Sequence, residues 1–237
     1  MNPYQVDTSE ANIYKPLISL DVLYKGMPKT TGCNRCKEVN GENVAWCCKE
    51  INPSMYYIEF LRVWKTIQNS WSKEKKSQLL IRAIRNYLDM GQRKGCIFWD
   101  KECLVYKDRP IQCRLYGVIP QEVWDKRIKA IKKREKDFDC RPQCNLVNSE
   151  KPITVALENK WFNHTKQCEE RIGVSDAILK LHDLPGGSYR TFHDHLLLEI
   201  LEVKAMNMLT QVKVTKPSKE DIDLFAETLA SKLRKKL

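Results

Sequence analysis

Nine of the ten cysteines fall between Cys33 and Cys144, and that crowding constrains the fold more than any other feature. They come as Gly32-Cys33-Asn34-Arg35-Cys36, Trp46-Cys47-Cys48, the run from Cys96 to Cys103, Arg109-Pro110-Ile111-Gln112-Cys113-Arg114, and Cys140-Arg141-Pro142-Gln143-Cys144. In a reducing compartment, thiolates gathered on short irregular segments hold soft metal, because zinc and iron–sulfur clusters favour charged sulfur ligands. Cys33 and Cys36 have the separation at which both sulfurs of one turn face a single ion, and Cys140 with Cys144 is a second chelating pair. Those two pairs would complete a tetrahedral zinc site and leave Cys47, Cys48, Cys96, Cys103 and Cys113 over. Successive residues point apart, so Cys47 and Cys48 suit a polynuclear cluster or two neighbouring sites better than one ion. All nine are therefore candidate ligands. Cys168 stands instead on an apolar helical stripe with Trp161 and His164 and is expected in the core.

A chain of 237 residues with 42% hydrophobic and 30% charged residues has the composition of a globular protein. The segment Met1 to Glu10 carries acids and a proline where a secretory signal would carry lysines and then an apolar run, and no uncharged apolar stretch approaches the ~20 residues that cross a bilayer. A cytoplasmic location and no membrane partner are expected. The formal charge of +11 invites an anionic partner. The basic residues are nevertheless interleaved with acids, and their densest run, Lys126 to Lys136, lies on an expected helix, so a solvated lysine face is expected there in preference to a nucleic-acid contact.

Helical periodicity dominates outside the cysteine segments, which predicts a mainly α fold. Residues 1–32 read as an irregular arm with at most a short strand or helical turn. Ile58, Leu61, Trp64 or Val63, Ile67 and Trp71 form a helical stripe for which Asn52-Pro53-Ser54 offers a start. A second stripe, Leu79, Leu80, Ala83, Ile84, Tyr87 and Leu88, follows after either a turn or an uninterrupted exposed face. Pro120 opens a third helix. Further helices are expected from Pro152, through Leu196 to Met206 as one long element, and after the capping-box pattern Ser218-Lys219-Glu220-Asp221. Cysteine content changes near residue 150, suggesting a metal-binding domain over 1–150 and a helical extension over 151–237.

The run Cys96-Ile-Phe, Cys103-Leu-Val-Tyr106-Lys-Asp-Arg109-Pro110-Ile-Gln-Cys113-Arg114, together with Cys33-x-x-Cys36 and Cys47-Cys48, resembles the YkgJ-like cysteine-cluster family. That family is described as a zinc- or iron-chelating domain and includes relatives named as flagellin lysine N-methylases. The resemblance covers residues 30–145, with Cys140 or Cys144 matching the downstream cysteine. It implies metal chelation by these cysteines and raises protein lysine methylation as an activity.

Arg109 and Arg114 flank Cys113. Their guanidinium donors would offset the negative charge of a thiolate-bound cofactor, or else pair with carboxylates at the surface. Phe98 and Tyr106 are expected to wall the site. His193-Asp194-His195 reads as a helix cap or surface feature rather than a ligand pair. Neither a phosphate-binding glycine loop nor a dinucleotide turn is present. The leading expectation is an iron–sulfur protein that transfers electrons or serves a modification reaction. Two alternatives stand beside it: a zinc-stapled interaction module whose basic helix contacts an unknown protein or an anionic partner such as nucleic acid, and a lysine N-methylase-like enzyme.

Overall fold

A computed structural model describes residues 6–31, 52–89, 95–100, 102–134, 148–174, 188–201 and 203–234. Helix α1 (Glu10–Gly26) runs into strand β1 (Thr30–Thr31). Strand β2 (Ser54–Met55) precedes α2 (Tyr57–Ser70) and α3 (Lys73–Leu88). The hairpin of β3 (Trp99–Asp100) and β4 (Glu102–Cys103) leads through a 3-10 turn at Tyr106–Asp108 into α4 (Ile111–Leu115) and α5 (Gln121–Arg134). Strand β5 (Asn148–Ser149) precedes α6 (Val155–Glu170), and β6 (Arg190–Thr191) precedes α7 (Phe192–Ile200), α8 (Val203–Val214) and α9 (Lys219–Leu233). The fold is mainly α, as the periodicity predicts.

Side-chain caps fix several of these starts. Ser72, Thr154, Thr191 and Ser218 each accept a hydrogen bond from the backbone N–H three residues on, satisfying a donor that the first helical turn leaves open. Ser72 settles the boundary between the second and third helices as a true break: Trp71 is extended, and α3 starts afresh.

Helix α2 is the centre of the molecule. Tyr57, Ile58, Glu59, Phe60 and Leu61 are all buried, so its first turn is covered on every side. Helices α1 and α6 pack on it and on each other, α7 packs on it as well, and α3 packs on both α7 and α9. A single apolar cluster runs from Val6 to Ala230. Among the described residues, helices from either side of residue 150 pack on one another: α6 on α1, and α9 on α3.

Three expectations about elements need correction. The N-terminal arm is a 17-residue helix. Its inner face is Ile13, Pro16, Leu20 and Tyr24, while Tyr14, Ile18 and Val22 are exposed on another side. Apolar residues on two faces blur the 3.6-residue period, and Pro16 removes one internal N–H, so the pattern reads as irregular. Asn52-Pro53-Ser54 does not start α2. Ser54 and Met55 are extended and pair antiparallel with Thr191 and Arg190, which moves the helix start to Tyr57. The long helix through Leu196 is two helices, because Leu201 is extended (φ −86°, ψ 140°) and buried. That break turns the chain so that both α7 and α8 rest on α3.

Candidate metal site

Cys33, Cys36, Cys47, Cys48, Cys140 and Cys144 lie outside the described residues, but the described framework fixes where their segments begin and end. Strands β1 and β5 pair antiparallel, with Thr31 opposite Asn148. The chain leaving toward Cys33 and the chain arriving from Cys144 therefore share one end of the same ladder. A further bond from Glu150 N–H to the Lys29 carbonyl, 3.1 Å, extends this pairing. The segment holding Cys47 and Cys48 re-enters at Asn52. There the Ser54 N–H donates to Gln112 Oε1 at 2.6 Å, and Cys113 is the next residue of α4. Both ends of the first cysteine segment and the exit of the last are thus tied to fixed structure, one of them directly beside Cys113.

Cys113 is half-buried. Its helix starts at Ile111, directly after Pro110, whose missing N–H costs no helical bond because that residue still lies outside the helix. Tyr189 reaches the same place, donating from its hydroxyl to Gln112 Oε1 at 3.4 Å and lying 5.0 Å from the Tyr56 ring. Burial raises the Tyr189 phenol well above its ordinary pKa, and the negative charges of Glu59, Tyr56 and Cys113 add to it. Cys96 and Cys103 are half-buried at the β3–β4 hairpin. Trp99 N–H donates to the Cys96 carbonyl at 2.9 Å, and Cys103 stands opposite Trp99 in register. Phe98 between them is buried, edge-on to Phe192 at 4.5 Å. Among the described residues, no group of three or more Cys, His, Asp or Glu side chains is arranged to hold a metal ion. Cys168 is buried on α6, as expected of a core residue, and burial pushes its thiol pKa up.

The arginines beside Cys113 brace the loop that carries it. The Arg109 guanidinium lies 3.8 Å from the centroid of the Tyr106 ring, and its Nε donates to the Tyr106 carbonyl at 3.0 Å. Arg114 donates from Nε to the Arg109 carbonyl at 2.8 Å and from Nη2 to the Lys107 carbonyl at 2.7 Å. Its charge sits over the Tyr24 ring at 4.3 Å, a cation–π contact made strong by partial burial. Tyr106 itself is exposed.

Behind this loop lies a set of buried acids that sequence reading passed over. Glu59 is 1% exposed. Its Oε1 accepts from the Tyr24 hydroxyl and from Ile111 N–H at 2.7 Å, and its Oε2 from Tyr56 N–H at 3.0 Å. One carboxylate thereby satisfies the open donors of α2 and α4 together and holds α1 to both. Burial raises its pKa, opposed by these donors and by Arg114. Glu169 of α6 accepts from Tyr57 N–H and from Ser188 Oγ, both at 2.5 Å. Burial pushes its pKa up to about 7 against those two bonds. Glu158, also on α6, is buried and paired with Arg127 at 2.6 Å. The available signal was an acid set within an apolar helical face: Glu59 between Ile58 and Phe60, and Glu158 and Glu169 in line with Trp161 and Thr165.

The histidine pair is also placed differently from the cap or surface expectation. His193 and His195 are both buried in the first turn of α7. His195 Nε2 lies 3.0 Å from the Met55 carbonyl, and burial lowers its pKa to about 4, so it is neutral at physiological pH. Thr191, rather than either histidine, provides the cap. An imidazole can bury its ring among Tyr57 and Phe60 while its N–H closes the β2–β6 pairing, a role its polarity alone does not suggest.

No family model, curated protein or solved structure matches the chain.

Proposed function

We propose that the chain is a metal-binding protein whose clustered cysteines hold an iron–sulfur cluster for electron transfer or for a modification reaction. One observation carries the reading. The β1–β5 ladder joins the start of the first outer cysteine segment to the end of the last, and the Ser54–Gln112 bond ties the end of the first segment beside Cys113. The donor set fits such a group chemically, because thiolates are the ligands iron–sulfur clusters take and as many as nine are available. Cys33, Cys36, Cys47, Cys48, Cys96, Cys103, Cys113, Cys140 and Cys144 would supply the sulfur. The bound cluster would supply one-electron redox capacity. The chain's own contribution near Cys113 is positional: Gln112 fixes the incoming strand, Arg109 and Arg114 hold the carbonyls of the 106–109 turn, and Tyr189 covers the flank. Thiolate ligation of this kind suits a reducing compartment, and the proposed location is cytoplasmic.

Anaerobic purification followed by iron and acid-labile sulfide analysis and electron paramagnetic resonance tests the reading. The expected protein is brown and carries iron and sulfide in comparable amounts. Colourless protein with stoichiometric zinc would replace the cluster with a zinc staple. Protein without any bound metal after anaerobic reconstitution would overturn the metal site altogether.

A further inference from the structure

We propose that the outward face of α5 docks the phosphate backbone of nucleic acid through Lys126, Lys129 and Lys133. The rotation of the helix is set by what it turns inward. Arg127 reaches the buried Glu158 at 2.6 Å, Trp124 meets Tyr116 edge-on at 5.6 Å, and Val123 and Ile128 are half-buried. At 3.6 residues per turn, Lys126, Lys129 and Lys133 then share an arc of about 60° on the opposite side, over a length of about 10 Å. All three are exposed, as is Lys132 at the edge of the stripe. Glu122 stands in the first turn, where an acid suits the helix dipole, on the same arc as the lysines, and Asp125 lies beside that arc, so the positive stretch begins at Lys126 and occupies the later part of the helix.

The partner follows from spacing and from what the face lacks. One strand of a duplex presents a phosphate roughly every 3.4 Å along its axis, so about three phosphates span the lysine stripe. Lysine is a compact point charge that can meet a phosphate without reading a base, which suits sequence-independent contact. A bilayer surface would need large apolar side chains beside the lysines. None of the exposed large hydrophobic residues among those described lies on α5. The inference concerns a face made of described residues and stands apart from the metal reading.

Fluorescence anisotropy with a short labelled DNA duplex across a salt series tests it. Neutralising three phosphates predicts a log–log salt slope near −3, which is about a 40-fold loss of affinity between 50 and 200 mM salt. K126E/K129E/K133E should bring the slope close to zero while leaving the circular dichroism spectrum unchanged, because all three side chains are exposed. K25E/K219E/K232E changes the net charge equally at exposed positions elsewhere and should retain most of the binding and the slope. Equal loss in both triple variants would reduce the effect to net charge and overturn the site. Unchanged binding by the α5 variant, no duplex binding by the wild type at low salt, or tighter association with phosphatidylserine vesicles or an acidic peptide than with duplex would overturn it as well.

Discussion

Glu169→Gln should make the protein less sensitive to rising pH, and the size of the effect can be worked from the site. The Glu169 side chain is buried at the start of α2, with Tyr57 N–H on one oxygen and Ser188 Oγ on the other. Burial, reinforced by the charge of Glu59, outweighs those donors and raises its pKa from an ordinary 4.5 to about 7. Below pH 4.5 the carboxyl is protonated both folded and unfolded, and its stabilising contribution is complete. As pH rises through 7 the folded protein must also ionise, and that contribution is lost. At about 1.4 kcal/mol for each tenfold change in proton affinity, the loss across this window is about 3 kcal/mol.

The wild-type profile alone would hide it. His195 is held neutral, with its pKa lowered from 6.5 to about 4, so it contributes stability present above pH 6.5 and lost as pH falls through 4. The two slopes oppose each other between pH 4.5 and 6.5. The glutamine variant isolates one of them. Its amide oxygen still accepts from Tyr57, and its amide N–H can donate to Ser188, so it imitates the protonated acid. Urea unfolding of both proteins under reducing conditions, followed by tryptophan fluorescence from pH 4 to 8, gives the difference directly. The variant should gain about 3 kcal/mol relative to wild type over that range, with most of the change between pH 4.5 and 7. A difference constant to within about 0.5 kcal/mol, or one that moves the other way, would show that the helix N-terminus and its donors win over burial, and would refute the reasoning.

Tyr24→Phe removes the hydroxyl that donates to buried Glu59 and should destabilise the fold by about 1–3 kcal/mol in the same unfolding assay. Leu20→Ala opens a cavity under α1, where Leu20 is fully buried, and should cost about 2–5 kcal/mol; a cost below about 0.5 kcal/mol would contradict the packed N-terminal helix. Cys113→Ser should lose bound metal while Cys168→Ser, altered within the core, should keep its full content by elemental analysis. Equal metal in the two variants would sink the division of ligands from core.

The sequence alone was enough for the mainly helical class, the stripes of α2 and α3, the Ser218 cap and the core position of Cys168, because each rests on local spacing. A period of 3.6 or a serine before an acidic turn is written within a few residues. The nine cysteines stand out in the sequence as candidates; how near they come to one another is not written there, since that depends on contacts between segments far apart in the chain. Only the tertiary structure pairs Thr31 with Asn148 and sets Gln112 against Ser54. It also decided that Glu59, Glu169 and His195 are interior. A polar side chain on an apolar face can be buried only where the fold supplies its partners, and here each of the three has at least one partner 35 to 140 positions away. The same holds for α1: apolar residues on two of its faces hide its period, and α2 and α6 select the face that enters the core.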